Sequence, residues 1–264
     1  MKYYGALYDV GLHFNGEGFS VEPFGPALVE YDVRAISSDL HANAVRIGGE
    51  DIYRLKVAAP AAHSRGINFF LNPWKMKEGI HPTRAYFEEA AKTAEKLRSE
   101  GIDMAFIAGC EYTIFSKVIF LGKTFTERAI YSTLITSIDY YRRGETAEEY
   151  VSGLERYRPN KPLAVLEVGC CAYEGAAKRG DGDIIPTRSE KEQADYVLTQ
   201  LNLLSKANAD GVLMDVFSFP FKHFPEHDPR LKMIPPWAPK EAFHRVADFF
   251  RSLQAPDHTV SALL

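Results

Sequence analysis

The chain has little cysteine and lacks any long apolar run. Only three of its 264 residues are cysteine, and two of these, Cys170 and Cys171, are adjacent, which is not the spaced, even set of a disulfide framework. Nowhere are there about 18 consecutive apolar residues, and the first residues lack the charged and apolar regions of a signal peptide. We therefore expect a reducing, cytoplasmic location and no membrane partner.

Runs of positive charge are also missing. The sequence has 31 Lys and Arg against 35 Asp and Glu, for a net charge of -4. Without a basic patch there is no electrostatic reason to expect a nucleic-acid partner. The composition, with 25% charged and 46% hydrophobic residues, is that of an ordinary globular protein, and the length suits a single domain over residues 1–264.

Glycine-rich phosphate loops are absent as well. Neither G-x-G-x-x-G nor G-x-x-x-x-G-K-[ST] follows the first strand-like segment, so we expect no nucleotide cofactor. What the chain does contain is a regular alternation of strand-like and helix-like segments joined by short loops. About eight such units predict a TIM (β/α)8-type barrel of parallel strands. An open, doubly wound sheet is the alternative.

The patterns also place individual elements. Strands are predicted at residues 3–10, 43–49, 67–71, 102–109, 161–167 and 211–216, and helices at 27–41, 51–65, 83–99, 147–157, 189–204 and 239–253. Pro60 is expected to kink the helix at 51–65. Ser189 and Glu192 have the spacing of a capping box at a helix start.

One part of the barrel is difficult to complete. Between residues 123 and 141 the strand-like pieces 128–136 and 137–141 have no helix between them, although parallel neighbours require a crossover of a dozen or more residues. Either residues 124–135 form a helix, or the barrel is short of one βα unit between its fourth and sixth strands.

Two strand-like segments end on a glutamate. Glu167 follows the apolar run after Pro162, and Glu111 follows a similar run through Gly109 and Cys110. Because ligands gather at the carboxyl ends of parallel strands, both carboxylates are placed where chemistry is expected. A pair of carboxyl groups in different environments suits cleavage of a glycosidic bond, one as acid and the other as nucleophile. Alternatively, each is an ordinary strand-end acid in a salt bridge.

Further candidates follow from position at the strand ends. Arg46, on the second strand, is a candidate to hold the nucleophile carboxylate ionised through a charge-assisted bond, with a structural ion pair as the alternative. Trp74 and Phe217 follow the third and eighth strands and are candidate platforms for sugar stacking, with packing at the barrel rim as the alternative. Asp9 ends the first strand and is a candidate for binding a substrate hydroxyl group.

Two other patterns are weaker indications of a functional site. His223 to His227 match the H-x-x-E-H pattern of zinc peptidases, but Pro225 within it disfavours the helix that would bring both histidines to one face, so no metal is expected. Cys170 and Cys171 have no nearby histidine to activate a thiolate, and they are interpreted as structural cysteines.

These residues support a family resemblance. Strands ending at Glu111 and Glu167, with Asn43-Ala44-Val45-Arg46 on the second strand, resemble the clan of retaining TIM-barrel glycoside hydrolases. The resemblance implies that Glu111 is the acid/base residue on strand four and Glu167 the nucleophile on strand seven. It also implies that Tyr141, ending strand six, is the tyrosine that hydrogen-bonds the nucleophile.

A bacterial family labelled abortive infection protein is more similar still. The similar segments cover nearly the whole chain and include Tyr8-Asp9-Val10-Gly11, Gly109-Cys110-Glu111 and Glu167-Val168-Gly169-Cys170-Cys171. In the hydrolase clan an asparagine usually precedes the acid/base glutamate, whereas this chain has Cys110. The leading hypothesis is a retaining glycoside hydrolase with a carbohydrate substrate. The alternative is a non-catalytic barrel that binds a carbohydrate or a partner in phage defence.

Overall fold

The computed structural model describes residues 1–13, 18–75, 78–108, 149, 152–153, 163–176, 187–215, 222–223 and 238–254. Its strands are β1 (Tyr3–Asp9), β2 (Ala44–Gly49), β3 (Asn68–Pro73), β4 (Ala105–Phe106), β5 (Ala164–Val168), β6 (Gly211–Met214), β7 (Lys222–His223) and β8 (Ala238–Pro239). Its helices are α1 (Pro26–Arg34), which continues as a π-helical turn (Ala35–Asp39), α2 (Ile52–Ser64), α3 (Ile80–Ser99), α4 (Glu190–Lys206) and α5 (Glu241–Gln254).

Six parallel strands form one sheet in the order β4-β3-β2-β1-β6-β5. The sheet curls into a half-barrel, since side chains of β2 and β5 meet although a flat sheet would hold these strands about 14 Å apart. Nearly all residues between β4 and β5, including the difficult segment 123–141, lie outside the described ranges. The α/β class and the parallel order are confirmed, and full closure stays a prediction.

The two faces of the sheet have different roles. On β2, Val45 and Ile47 pack in the apolar core between the sheet and the helices, while Arg46 lies between them on the concave face. The same alternation on β1 puts Ala6 and Tyr8 in the core and leaves Asp9 on the concave side. Arg46 and Asp9, whose neighbours along the strand pack in the core, therefore point to the interior of the half-barrel.

The observed helix bounds differ from the predicted ones mainly at their ends. Helix α3 starts at Ile80, earlier than predicted, and the helix predicted at 27–41 becomes π-helical after Arg34. Helix α2 runs on past Pro60 to Ser64. Most of the helix predicted at 147–157 lies outside the described residues. None of the described helices is both long and apolar enough to cross a membrane.

The predicted capping box at the start of α4 is half formed. The hydroxyl of Ser189 accepts a hydrogen bond from the Glu192 backbone N–H at 3.2 Å, as predicted. The backbone N–H of Ser189, which would complete the box, donates to the carbonyl oxygen of Ala172 at 3.0 Å, and the Glu192 carboxylate accepts from the backbone N–H of Gly175 at 2.8 Å. The first turn of α4 thus also holds the loop that follows β5.

Close packing of β1 against β2 makes Gly5 sensitive to substitution. A Cβ atom at Gly5 would lie 1.8 Å from the backbone carbonyl oxygen of Ala44, where the strands pair. We predict that Gly5→Ala lowers the free energy of unfolding by roughly 3 kcal/mol, since backbone atoms must move to relieve the overlap. Urea unfolding measures this.

Gly18→Ala is the matched control, because among the described residues no atom beyond its chain neighbours lies within 4 Å of the added methyl group. Equal stability of the two variants would contradict the packing described for β1 and β2.

Candidate active site

A β-bulge in β5 directs Glu167 to the concave face. Val165 pairs with Val212 and Val168 pairs with Met214, so two residues of β5 lie between the pairs where β6 has one. Both Val165 and Val168 pack in the core on the helix side. Because regular alternation from Val165 would put Glu167 on that side too, the extra residue reverses its direction.

Glu167 forms a buried ion pair with Arg46. Arg46 Nη1 donates to Glu167 Oε1 at 2.8 Å and also to the carbonyl oxygen of Leu166 at 3.1 Å. Arg46 is 1% exposed and Glu167 5% exposed. The role predicted for Arg46, to hold the nucleophile carboxylate ionised, stays a prediction. Burying both charges costs several kcal/mol per ion, which the direct bond offsets.

Sequence reasoning missed a residue that holds this arginine. Asn72, on β3, is 0% exposed, and its Oδ1 accepts hydrogen bonds from Arg46 Nε at 2.7 Å and from Trp74 Nε1 at 2.6 Å. The signal was present, since Asn72 is a polar residue that ends the apolar segment Phe69-Phe70-Leu71 just as Glu167 ends its own. Its role needed the register of β2 and β3 to be known.

Trp74 lies against the same group. Its ring centre is 5.9 Å from Arg46 Cζ, and the residue is 4% exposed. With its N–H bonded to Asn72 and its ring covered, Trp74 packs as part of the site's wall. The predicted role in sugar stacking stays a prediction, and in this conformation little of the ring is open to a ligand.

Asp9 organises the loop that follows β1. Its Oδ1 accepts from the Gly11 backbone N–H at 2.7 Å, and its Oδ2 accepts from the Ser20 hydroxyl. Burial raises the pKa of Asp9, while the bonds from Ser20 and Gly11 and the charge of Arg54 act to lower it. Both oxygens are thus already bonded within the protein. Binding of a substrate hydroxyl by Asp9 stays a prediction.

Arg54, on α2, holds the same loop from the other side. Its Nη1 donates to the carbonyl oxygens of Val10 at 3.2 Å and Val21 at 2.8 Å, and its Nη2 donates to Glu22 at 2.6 Å. The guanidinium also lies 4.1 Å from the centre of the Phe19 ring. The rim of the half-barrel beside β1 is therefore held by buried charges on two elements.

Solved structures share this architecture. Two structures of GH113 β-1,4-mannanase align with TM-scores of 0.63 and 0.62 at 12% and 13% identity; the first alignment covers 95% of this chain and 99% of the mannanase, the second 96% and 100%. GH113 β-mannanase AaManA from Alicyclobacillus acidocaldarius, in complex with ManMIm, aligns with a TM-score of 0.60 at 15% identity, over 96% of this chain and 98% of that one. At this identity the likeness shows the fold alone. The neighbours that share it are TIM-barrel proteins.

No family model matches the sequence, and no curated protein matches it. Nothing therefore supports the resemblance to the abortive infection family. The structural neighbours agree with the other resemblance, to the TIM-barrel glycoside hydrolases, at the level of the fold.

Several predicted site residues fall outside the described part of the chain. These are Glu111, Tyr141 and Phe217, and their predicted roles stay predictions. Of the H-x-x-E-H segment, only the backbone of His223 is described, in β7. No group of three potential metal ligands occurs among the described residues. Cys170 is buried, and its carbonyl oxygen accepts from Gln193 Nε2 at 2.7 Å, which fits a structural position.

A groove opens at the same end of the sheet, behind Trp74. Its volume is about 590 Å³, and its lining includes His13, Glu50, Tyr53 and Tyr86. It adjoins the site through the carbonyl oxygen of Gly49, which accepts from the Trp74 backbone N–H at 2.9 Å and from the Tyr86 hydroxyl at 3.0 Å. The lining also includes Lys56 of α2 and Glu89 of α3, so the groove lies on the helix side of the sheet, next to the loops that follow β2 and β3.

The buried pair predicts strong coupling between Arg46 and Glu167. Arg46→Met removes the cationic partner of a buried carboxylate and should lower the free energy of unfolding by about 3–5 kcal/mol. Arg46→Met combined with Glu167→Gln should cost less than the sum of the two single changes by at least about 1 kcal/mol. Urea unfolding of the four proteins at neutral pH measures the coupling. Additive effects would contradict the pairing.

The raised pKa of Asp9 predicts a pH-dependent effect of Asp9→Asn. Because the folded-state pKa exceeds the ordinary value of 3.8, the carboxyl group stabilises the fold fully below that pH and loses this contribution as pH rises through the folded-state pKa. The neutral amide has no such loss, so the melting temperature of Asp9→Asn relative to wild type should rise from about pH 4 to about pH 7.

Asp248→Asn makes the same substitution at an exposed position of α5 and serves as the control for the chemical change itself. A difference for Asp9→Asn that stays constant or falls with rising pH would refute the burial argument.

Proposed function

We propose that the chain is a retaining glycoside hydrolase with Glu167 as its nucleophile. The observation that carries this proposal is the bulge in β5, which turns Glu167 out of the helix-side core and onto Arg46 at the carboxyl end of the sheet. Turning a carboxylate into a barrel and burying its charge is unfavourable for a residue that only supports the fold. Such local departures from regular structure cluster at functional sites.

The proposed reaction uses the two glutamates of the sequence hypothesis. The Glu167 carboxylate attacks the anomeric carbon and forms a glycosyl ester, while Glu111 protonates the departing glycosidic oxygen. Glu111, now ionised, then takes a proton from water, whose oxygen attacks the same carbon and releases the sugar and the Glu167 carboxylate. Arg46 keeps Glu167 ionised through its charge-assisted bond to Oε1.

The proposed substrate is a β-1,4-linked mannan or its oligosaccharides. Support comes from the neighbours, which are β-1,4-mannanases, one of them in complex with ManMIm. Cys110 stands where the clan has asparagine, so the contact to the sugar's 2-hydroxyl group is expected to differ from that of the clan.

Removing the Glu167 carboxylate tests the assignment. Glu167→Ala should lower kcat/KM on β-1,4-mannan oligosaccharides or their aryl glycosides by at least about 10⁴-fold, because the covalent route is lost. Added azide should restore turnover by attacking in place of the carboxylate, and the glycosyl azide should have the anomeric configuration opposite to that of the substrate. Product analysis by NMR decides this.

Glu95→Ala, on the exposed face of α3, is the control and should keep wild-type activity. Equal turnover by Glu167→Ala and wild type would defeat the nucleophile assignment. Saturable binding of mannan oligosaccharides by wild type without any turnover would favour the non-catalytic alternative.

A further inference from the structure

Asn72 connects the arginine of the candidate site to the third strand. It is completely buried, and its Oδ1 is the shared acceptor of two N–H groups, Arg46 Nε at 2.7 Å and Trp74 Nε1 at 2.6 Å. We infer that Asn72 is a positioning residue for Glu167, acting through Arg46. The importance of this role for catalysis rests on the proposed function. The hydrogen bonds from which the role is inferred are independent of that function.

The orientation of the Asn72 amide is determined by its partners. Arg46 Nε and Trp74 Nε1 are donors that cannot accept, so the atom between them must be the oxygen. The bond to Nε holds one edge of the planar guanidinium against β3. The Nη1 corner is thereby aimed across the concave face at β5, where it donates to Glu167 Oε1 and to the Leu166 carbonyl oxygen.

Without this anchor the arginine has more freedom. Its long side chain leaves β2 and crosses the positions of β1 and β6 to reach β5. A flexible chain of this length loses considerable rotamer entropy when it is fixed, and a rigid, doubly bonded acceptor at Nε supplies much of that fixation. Asn72 therefore determines how well Arg46 pairs with Glu167, although it is not bonded to Glu167 itself.

Asn72 also lies beside the strand that leads to the predicted acid/base residue. Its Nδ2 is 3.5 Å from the carbonyl oxygen of Ile107, and the Ile107 backbone N–H donates to the Leu71 carbonyl oxygen at 2.9 Å. Ile107 precedes Glu111 by four residues in the sequence. One buried amide thus contacts the second and fourth strand ends from the third.

A purely structural role makes a different prediction. An amide that only fills space would, when replaced, reduce stability without changing the titration of Glu167. Among the described residues, the charged groups on the strands around Glu167 are Arg46 on β2, Asp9 at the end of β1 and Asp215 directly after β6. All three, and Glu111, are unchanged in the variants below, so a shifted Glu167 midpoint reports a change in how Arg46 is held.

The test is the titration midpoint of Glu167 in Asn72→Leu, which has the shape of asparagine but no acceptor. In protein labelled with 13C at the glutamate carboxyl carbon, the Glu167 resonance is the one that disappears in Glu167→Gln. Asn72→Leu should move its midpoint to higher pH by on the order of one unit, since the arginine no longer pairs as closely. The acid limb of the pH profile of kcat/KM should move to higher pH by a similar amount. The fall in kcat should be larger than the change in KM.

Asn68→Leu is the matched control. Asn68 lies at the other end of β3, is exposed, and donates to the Asn43 carbonyl oxygen at 2.8 Å, so the same substitution there should leave the Glu167 midpoint unchanged. If Asn72→Leu does not fold, Asn72→Ser replaces it, because its small hydroxyl cannot reach both donors and should shift the midpoint in the same direction.

A folded Asn72 variant with the wild-type midpoint would overturn the inference. The NMR titration needs no substrate, so it decides this point even if no sugar is turned over. Absence of turnover in wild type would count against the proposed function alone, and a shifted midpoint would then still establish Asn72 as the residue that positions Arg46.

Discussion

The buried pair of Arg46 and Glu167 crosses the concave face of the sheet, and most other features of the site follow from the need to form it. The two residues come from strands separated by β1 and β6, so the sheet must curl before they can meet. Glu167 must also face inward, which the bulge in β5 accomplishes. Two desolvated charges require a close, well-directed bond, and Asn72 supplies the direction.

The rim of the half-barrel is held by a second set of buried charges. Asp9 accepts from the loop after β1, and Arg54 donates to both sides of that loop. Glu50, directly after β2, accepts from the backbone N–H of His13 at 2.8 Å. These contacts fix the rim beside Trp74 and the adjoining groove without involving the ion pair. The floor of the site and its rim are thus stabilised separately, so each can be altered experimentally while the other is kept.

The sequence allowed the α/β class and the position of the main described strands to be predicted, because buried parallel strands are short apolar runs with sharp ends. It also allowed Arg46 and Glu167 to be proposed as partners. The direction of Glu167 could not be predicted, since the bulge depends on how Val168 pairs with Met214 on a strand far along the chain. Asn72 was missed for the same reason. Its significance comes from a neighbour on β2, which no local pattern contains.

The most direct test of the account is to identify the residue that carries the sugar during the reaction. An activated 2-deoxy-2-fluoro β-mannoside slows release of a glycosyl ester, so peptide mass spectrometry after incubation can locate the adduct. The account predicts one fluoromannosyl group per chain, attached to the peptide that contains Glu167 and lost from Glu167→Gln. An adduct on another residue would contradict it. Hydrolysis of this fluoro-mannoside without any adduct on Glu167 at any time during the reaction would contradict it as well.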